Sequence, residues 1–152
     1  MAKEKEKELV SNRKAFHDYE ILDTYEAGIE LLGTEIKSLR NHGGQLRDAY
    51  VDIRDLTPWL MHASIAPYAF GNVHNHEERR PRKLLMHKRE IEKLARLVSE
   101  KGLTVIPIAL YLNERGYCKV RIALAKGKKQ YDKKAAIKER DEKRALQRGE
   151  ES

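Results

Sequence analysis

Only one cysteine occurs in the 152 residues, and a lone thiol, Cys118, cannot close an internal disulfide. Such usage fits a reducing compartment, and the cytoplasm is the expected location. Long apolar runs are missing too. None approaches the roughly 18 to 20 residues that cross a bilayer, so no membrane partner is expected. The opening MAKEKEKELV lacks the apolar stretch of a secretory signal. No glycine-rich loop has the form that cradles a phosphate, and no internal repeat is present. HNHEE, from His74 to Glu78, offers imidazole and carboxylate, the ligands of zinc and magnesium, without a second cluster at a ligand-like spacing. A solvated loop is the plain account of it, and a metal-dependent nuclease using His74 and His76 is the rival. No cofactor, no metal and no enzymatic activity are expected.

What the chain does hold is charge. Against 24 acidic residues stand 31 lysines and arginines, a net charge of +7, so an anionic partner is expected. A hydrophobic content of 40% still permits a folded body. Residues 1–11 alternate Lys and Glu with little to bury and are expected to form a mobile arm. Residues 12–125 make the body, and residues 126–152 a basic tail.

Within the body, Tyr19, Ile21, Tyr25, Ala27, Ile29 and Leu31 alternate with polar residues, the pattern of one long strand. Thr34 is placed to cap a short helix, EIKSLRN, which Gly43 and Gly44 stop. AYVDI and WLMHASIAPYAF, broken by Pro58 and Pro67, suit edge strands or irregular sheet. HKREIEKLARLVSEKG has the spacing of a helix, with Gly102 as terminator. TVIPIALYL and YCKVRIALA flank the turn NERG as a hairpin. In its second strand Cys118, Val120, Ile122 and Leu124 point one way, while Tyr117, Lys119 and Arg121 point the other. The class is α+β, verging on all-β: a small antiparallel barrel with two flanking helices that binds nucleic acid.

Four stretches carry the chemistry. RRPRKLLMHKR packs six lysines and arginines and no acid between Arg79 and Arg89, a density that calls for an anion, and a phosphate is favoured over a solvated loop. Leu84 and Leu85 inside it are core or an apolar wedge against a base, with at least one of them core. NRKAFHDY offers Arg13 and Lys14 for phosphates and His17 for an unpaired base; Tyr19 is assigned to the core. Glu26 is either an exposed strand charge or an acceptor for RNA hydroxyls and base amines, or the group that orients an arginine. Cys118 points inward, where thiols are inert.

Taken together, NRKAFHDYEILDTYEAGIELLGTEIKSLR, RPRKLLMHKREI, TVIPIALYLNERGYCKVRIALAKGKKQYDKK and IKERD closely resemble the bacterial small protein B family, the partner of transfer-messenger RNA. The resemblance spans about Asn12 to Arg148 in family order. It implies an oligonucleotide-binding-type barrel that grips the tRNA-like domain of that RNA. It also implies delivery, with elongation factor Tu, to ribosomes stalled on broken messages; the protein is expected to be a monomer. The implied RNA contacts are Asn12, Arg13, Lys14 and His17; Glu26 and Gly28; Lys37, Ser38 and Arg40; and Arg82, Lys83 and Leu85. The Tyr117, Lys119 and Arg121 face is assigned from spacing alone. Three departures stand out: Phe16 replaces a residue basic in many relatives, Lys134 replaces the usual arginine, and Glu142 stands where some members carry an aromatic. A general ribosome-associated RNA-binding factor is the other alternative.

The tail begins with Lys126, Gly127, Lys128 and Lys129, then Tyr131, Asp132, Lys133 and Lys134. Beyond Ala136 only Ile137 and Leu146 are large and apolar, too little to offset about 1 to 2 kcal/mol per ordered residue. The free tail is therefore expected to be disordered. The resemblance implies that it enters the decoding region and empty messenger channel of the ribosome. There Lys138, Arg140, Lys143 and Arg144, with Ile137, are assigned to small-subunit RNA contact. No Gly or Pro interrupts Tyr131 to Leu146, and Glu139 precedes Lys143 by one turn, so neutralisation of its cations should let a helix form. Ala136→Pro leaves the charge unchanged yet costs about 3 kcal/mol in a helix. It should spare binding of isolated tRNA-like RNA and abolish peptide tagging on stalled ribosomes. Normal tagging by this variant, with tagging lost when Lys133 and Lys134 become Ala, would mean an extended polycation instead.

Overall fold

The computed structural model describes residues 6–68 and 75–128. Their elements run β1 (Lys7–Ser11), α1 (Arg13–Asp18), β2 (Tyr19–Ile29), α2 (Gly33–Arg40), β3 (Gly44–Gln45), β4 (Tyr50–Arg54), β5 (Thr57–Met61) and β6 (Ser64–Ile65). After these come β7 (Arg82–Leu85), α3 (Lys88–Lys101), β8 (Thr104–Leu112) and β9 (Cys118–Gly127). Seven strands form one antiparallel sheet in the order β1-β8-β9-β2-β7-β5-β4, and β3 pairs with β6 as a small ribbon. The sheet curls until β4 lies against β8, but no hydrogen-bonded register joins that seam. The architecture is thus an oligonucleotide-binding-type barrel with an open seam. Among the described residues no helix is long and apolar enough to cross a membrane.

The expected alternation gives the core. Cys118, Val120, Ile122 and Leu124 of β9 all enter the main cluster, which also takes Leu84, Leu60, Leu94 and Leu110. Burial pushes the Cys118 thiol up to about 11, so it stays protonated and inert. The NERG turn forms as expected: Asn113 Oδ1 accepts the N–H groups of Arg115 and Tyr117 at 3.0 and 2.9 Å, and Gly116 takes a φ of 82°. Helix α3 ends at Gly102, whose φ of 63° and N–H bond to the Val98 carbonyl close the last turn.

Four expectations need correction. Residues 7–11 are not a loose arm: β1 pairs with β8, and a one-residue register shift between Glu8 and Val10 turns both Leu9 and Val10 into the core. The alternating face of β2 is not continuous. A shift between Ile21 and Asp23 leaves Leu22 extra and swaps the sides, so Tyr19 and Ile21 pack outside the barrel with Ala15, Ile106, Ile108, Ala123 and Ala125. Tyr25, Ala27 and Ile29 pack inside. That outer cluster exists because α1, a third helix with no sequence period of its own, lies over it. Finally, Thr34 does not cap α2; its hydroxyl meets His76 Nδ1 at 2.8 Å, and Leu32 takes the cap position.

One buried ion pair joins α2 to β7. Glu35 and Arg82 are both 0% exposed and meet at 2.7 Å. Glu35 also accepts the Leu32 N–H at 2.7 Å and two bonds from Arg80, at 2.7 and 3.0 Å. Every N–H of Arg82 is used: beyond Glu35 it donates to the carbonyls of Ala63, Arg80, Glu77 and Glu78. Burial alone would raise the Glu35 pKa, but the bonds from Arg80, the Leu32 N–H and Arg82 outweigh it and hold the carboxyl below its ordinary value. Glu35→Gln leaves Arg82 uncompensated and should cost about 3 to 5 kcal/mol in urea unfolding. Because the native carboxyl titrates below its unfolded value of 4.5, its contribution is complete above that pH and fades as pH falls through the lower native value. Wild type should therefore lose stability on acidification below about 4.5, and Glu35→Gln should lack that component.

Candidate RNA interface

On the outer face of β2, β8 and β9 the registers bring polar groups together. Glu26 pairs with Arg121, Gly28 with Lys119, and Lys119 with Tyr111. The Tyr111 phenol donates a short hydrogen bond to Glu26 Oε2, and the Arg121 guanidinium lies 4.6 Å from the Tyr111 ring centre. Arg121 also reaches Glu6 at 3.8 Å. Burial first, and then the bond to the Glu26 carboxylate, drive the Tyr111 phenol well above its ordinary pKa. Tyr111 is thus a permanent donor, and Glu26, itself exposed, is an oriented acceptor.

Beside it a cleft of ≈ 340 Å³ is lined by Glu26, Gly28, Leu85, Met86, His87, Glu90 and Lys119. A Cβ added at Gly28 would stand 3.3 Å from the Leu85 Cβ, so glycine there lets Leu85 lie close over β2. Leu84 is core at 1% exposure while Leu85 is 50% exposed, so the leucine pair divides between core and surface. Beyond Arg121 a second cleft of ≈ 310 Å³ takes Arg13 and Phe16 of α1, with Glu8, Ser11, Asn12, Ile108 and Ala109. Arg121 borders this cleft and its partner Glu26 the first, so one surface runs from α1 to β7.

The remaining expected residues are distributed as follows. Lys14 lines the cleft beside Tyr19, Asp48 and Tyr50. His17 is exposed and meets Asp18 at 3.0 Å. Asn12 donates to the Pro107 and Leu46 carbonyls at 3.0 and 3.4 Å, which ties the start of α1 to the barrel. Ser38 is buried, its carbonyl holding the Gly43 N–H at 2.8 Å, and so it shapes the exit of α2. Lys37 stands 5.6 Å from the Tyr68 ring, and Arg40 is exposed on the same helix. Tyr117 sits in the hairpin turn, 64% exposed.

Arg82 must be withdrawn as a surface phosphate contact. The anion that the basic run called for is in part internal: Glu35 absorbs Arg82 and Arg80, leaving Lys83 exposed. The nuclease rival also loses support. His76 is buried with both ring nitrogens engaged, by Thr34 and the Ile65 carbonyl, and among the described residues no group of three or more His, Cys, Asp and Glu could hold a metal. His74 and the tail from Lys129 onward, including Tyr131, Asp132, Lys133, Lys134, Ile137, Lys138, Arg140, Lys143 and Arg144, lie outside the described residues. Lys126 and Gly127 prolong β9, and Lys128 bonds α1 twice, from its N–H to the Asp18 carbonyl at 3.0 Å and from Nζ to the Phe16 carbonyl at 2.5 Å. The body therefore includes residues 126–128, past the expected boundary at residue 125.

Sequence reasoning missed Tyr111, hidden in the apolar run TVIPIALYL. Its position directly across the hairpin from Lys119 was the available signal.

The family model for SmpB protein matches residues 9–152. An SsrA-binding protein of Protochlamydia amoebophila is 61% identical over 95% of this chain and 94% of its own. One from Chlamydia muridarum is 59% identical, covering 92% of each chain. A solved chain from a study of tmRNA-SmpB at the center of the bacterial ribosome aligns with a TM-score of 0.67 and 50% identity. That alignment covers 78% of this chain and 83% of that one.

The Glu26–Tyr111 pair should behave as a unit. Glu26→Gln and Tyr111→Phe should each weaken a folded tRNA-like RNA by roughly five-fold, the scale of one hydrogen bond, and leave a random duplex unaffected. The double variant should lose less than the product of the two, as coupled sites do. Independent losses in this cycle would mean that Tyr111 does not act through Glu26.

Proposed function

Because the chain belongs to the SmpB protein family, we propose that it is the RNA-binding adaptor of trans-translation: it binds the tRNA-like domain of transfer-messenger RNA and carries that RNA to stalled ribosomes. The observation that supports this at the level of residues is the single outer surface on which Glu26, Gly28, Leu85, Lys119 and Arg121 converge. Cations there meet phosphates, while the oriented carboxylate, which repels phosphate, is favourable only where hydroxyls or base amines face it. A protein relying on charge alone would gain nothing from Glu26, so the surface favours one folded RNA over RNA in general.

The work divides between body and tail. The barrel holds the tRNA-like domain; the lysines after Gly127 take the decoding region and the messenger channel. Elongation factor Tu joins through the shared RNA, the protein acts as a monomer in the cytoplasm, and bond-making belongs to the ribosome. Lys128, the last described residue, is held beside α1 by its bonds to the Asp18 and Phe16 carbonyls.

Sequencing the RNA that co-purifies with the protein should recover transfer-messenger RNA far above its share of cellular RNA. Lys83→Ala with Lys119→Ala should reduce that recovery and flatten the log-log salt dependence by roughly 0.7 to 0.9 per phosphate contact removed. Enrichment of bulk ribosomal RNA alone would favour a general ribosome-associated factor.

A further inference from the structure

The outward side of the sheet does not stop at Leu85. Along β7 Arg82 and Leu84 are buried and Lys83 and Leu85 exposed, so the two exposed residues share the outer face. Lys83 is registered against Trp59 of β5, whose neighbours Pro58 and Leu60 are buried. Trp59 therefore stands on the same side as Lys83, Leu85, Gly28 and Glu26. With Glu30, Leu31, Leu32, Arg80 and Lys83 it lines a groove of ≈ 420 Å³.

Several features of this groove have no use in the fold. Trp59 is only partly buried, and among the described residues nothing accepts its indole N–H. Lys83 has no ion-pair partner among the described residues, and Leu32 is 50% exposed. Arg80 keeps its Glu35 bonds while its remaining surface borders the groove. Glu30 contributes one carboxylate and Glu35 serves Arg80 and Arg82 together, so with Lys83 the cations at the groove still exceed the acids.

We propose that this groove is a second nucleotide subsite, in which the Trp59 indole stacks on an unpaired base of the RNA held by the Glu26 surface and the Lys83 ammonium takes its phosphate. An aromatic face beside a free ammonium is the combination that holds a splayed nucleotide with little regard to its identity. The occupant is RNA because the groove continues the surface already described: Leu85 borders the cleft of Glu26 and Lys119, and Lys83, two residues earlier on β7, borders this one. A stacked base contributes specificity for an unpaired nucleotide at a fixed distance from the Glu26 contact, which a duplex of equal charge lacks.

The subsite rests on the adaptor function above, and the test separates the two. Trp59 is the only tryptophan, so its fluorescence in the full chain reports on this groove alone. Saturating transfer-messenger RNA should quench it and shield it from acrylamide. In an anisotropy assay with labelled RNA, Trp59→Leu should weaken binding about ten-fold, Trp59→Phe should retain most of the affinity, and both should melt like wild type. Lys83→Ala, which keeps the fluorophore, should weaken binding and reduce the shielding. Tight binding with unmoved fluorescence and an unaffected Trp59→Leu would overturn the subsite and leave the adaptor function standing. Absence of binding by the wild-type chain would overturn both. If Trp59→Phe loses as much as Trp59→Leu, stacking is not the interaction.

Discussion

A carboxylate with no exposure, Glu35, holds two arginines, and much of the barrel's geometry follows from that contact. Without it Arg82 would be an unpaired buried cation at the start of β7, a state costly enough to expel the strand. With it, one guanidinium fastens α2, the Ala63 turn and the loop around Glu77 and Glu78 to the strand that presents Lys83 and Leu85. The pair also spends the positive charge of Arg82 inside the molecule, so the outer side of β7 shows a lysine and a leucine where the sequence shows a run of cations.

How far the sequence is legible depends on the range of each interaction. The β8–β9 hairpin, α3 and its Gly102 terminator announce themselves because period, turn and cap are local. Helix α1 does not, since six residues are too few for a period, and β1 does not, since its Lys and Glu residues conceal Leu9 and Val10. The side-swap in β2 depends on one extra residue, Leu22, facing a partner strand a hundred residues away. The fate of Arg82 is settled by Glu35, 47 residues distant. Composition cannot tell an arginine that waits for phosphate from one already neutralised.

The candidate surface follows the same division. Family resemblance points to Glu26, Gly28 and Leu85, and alternation to Lys119 and Arg121; the structure brings them to one face. Tyr111 and Trp59 are not legible as surface groups, since aromatic residues within apolar runs read as core. What distinguishes them is the register: each lies directly across from a lysine, Tyr111 from Lys119 and Trp59 from Lys83. Asn12, whose amide donates inward to the barrel, and the buried Ser38 hold the scaffold on which the surface depends.

Strand β9 carries Lys119 and Arg121 near its start and ends in Gly127, and the Lys128 bonds clamp that end to α1. Cations thus stand at both ends of one strand, Lys119 and Arg121 near its start and Lys126 and Lys128 at its end. Once RNA occupies the near end, engagement of the far end by a second RNA surface becomes intramolecular, with an effective concentration set by the clamp rather than by diffusion. Contacts that are individually weak at physiological salt then add as avidity, provided that the fixed spacing along the strand lets both ends be satisfied at once.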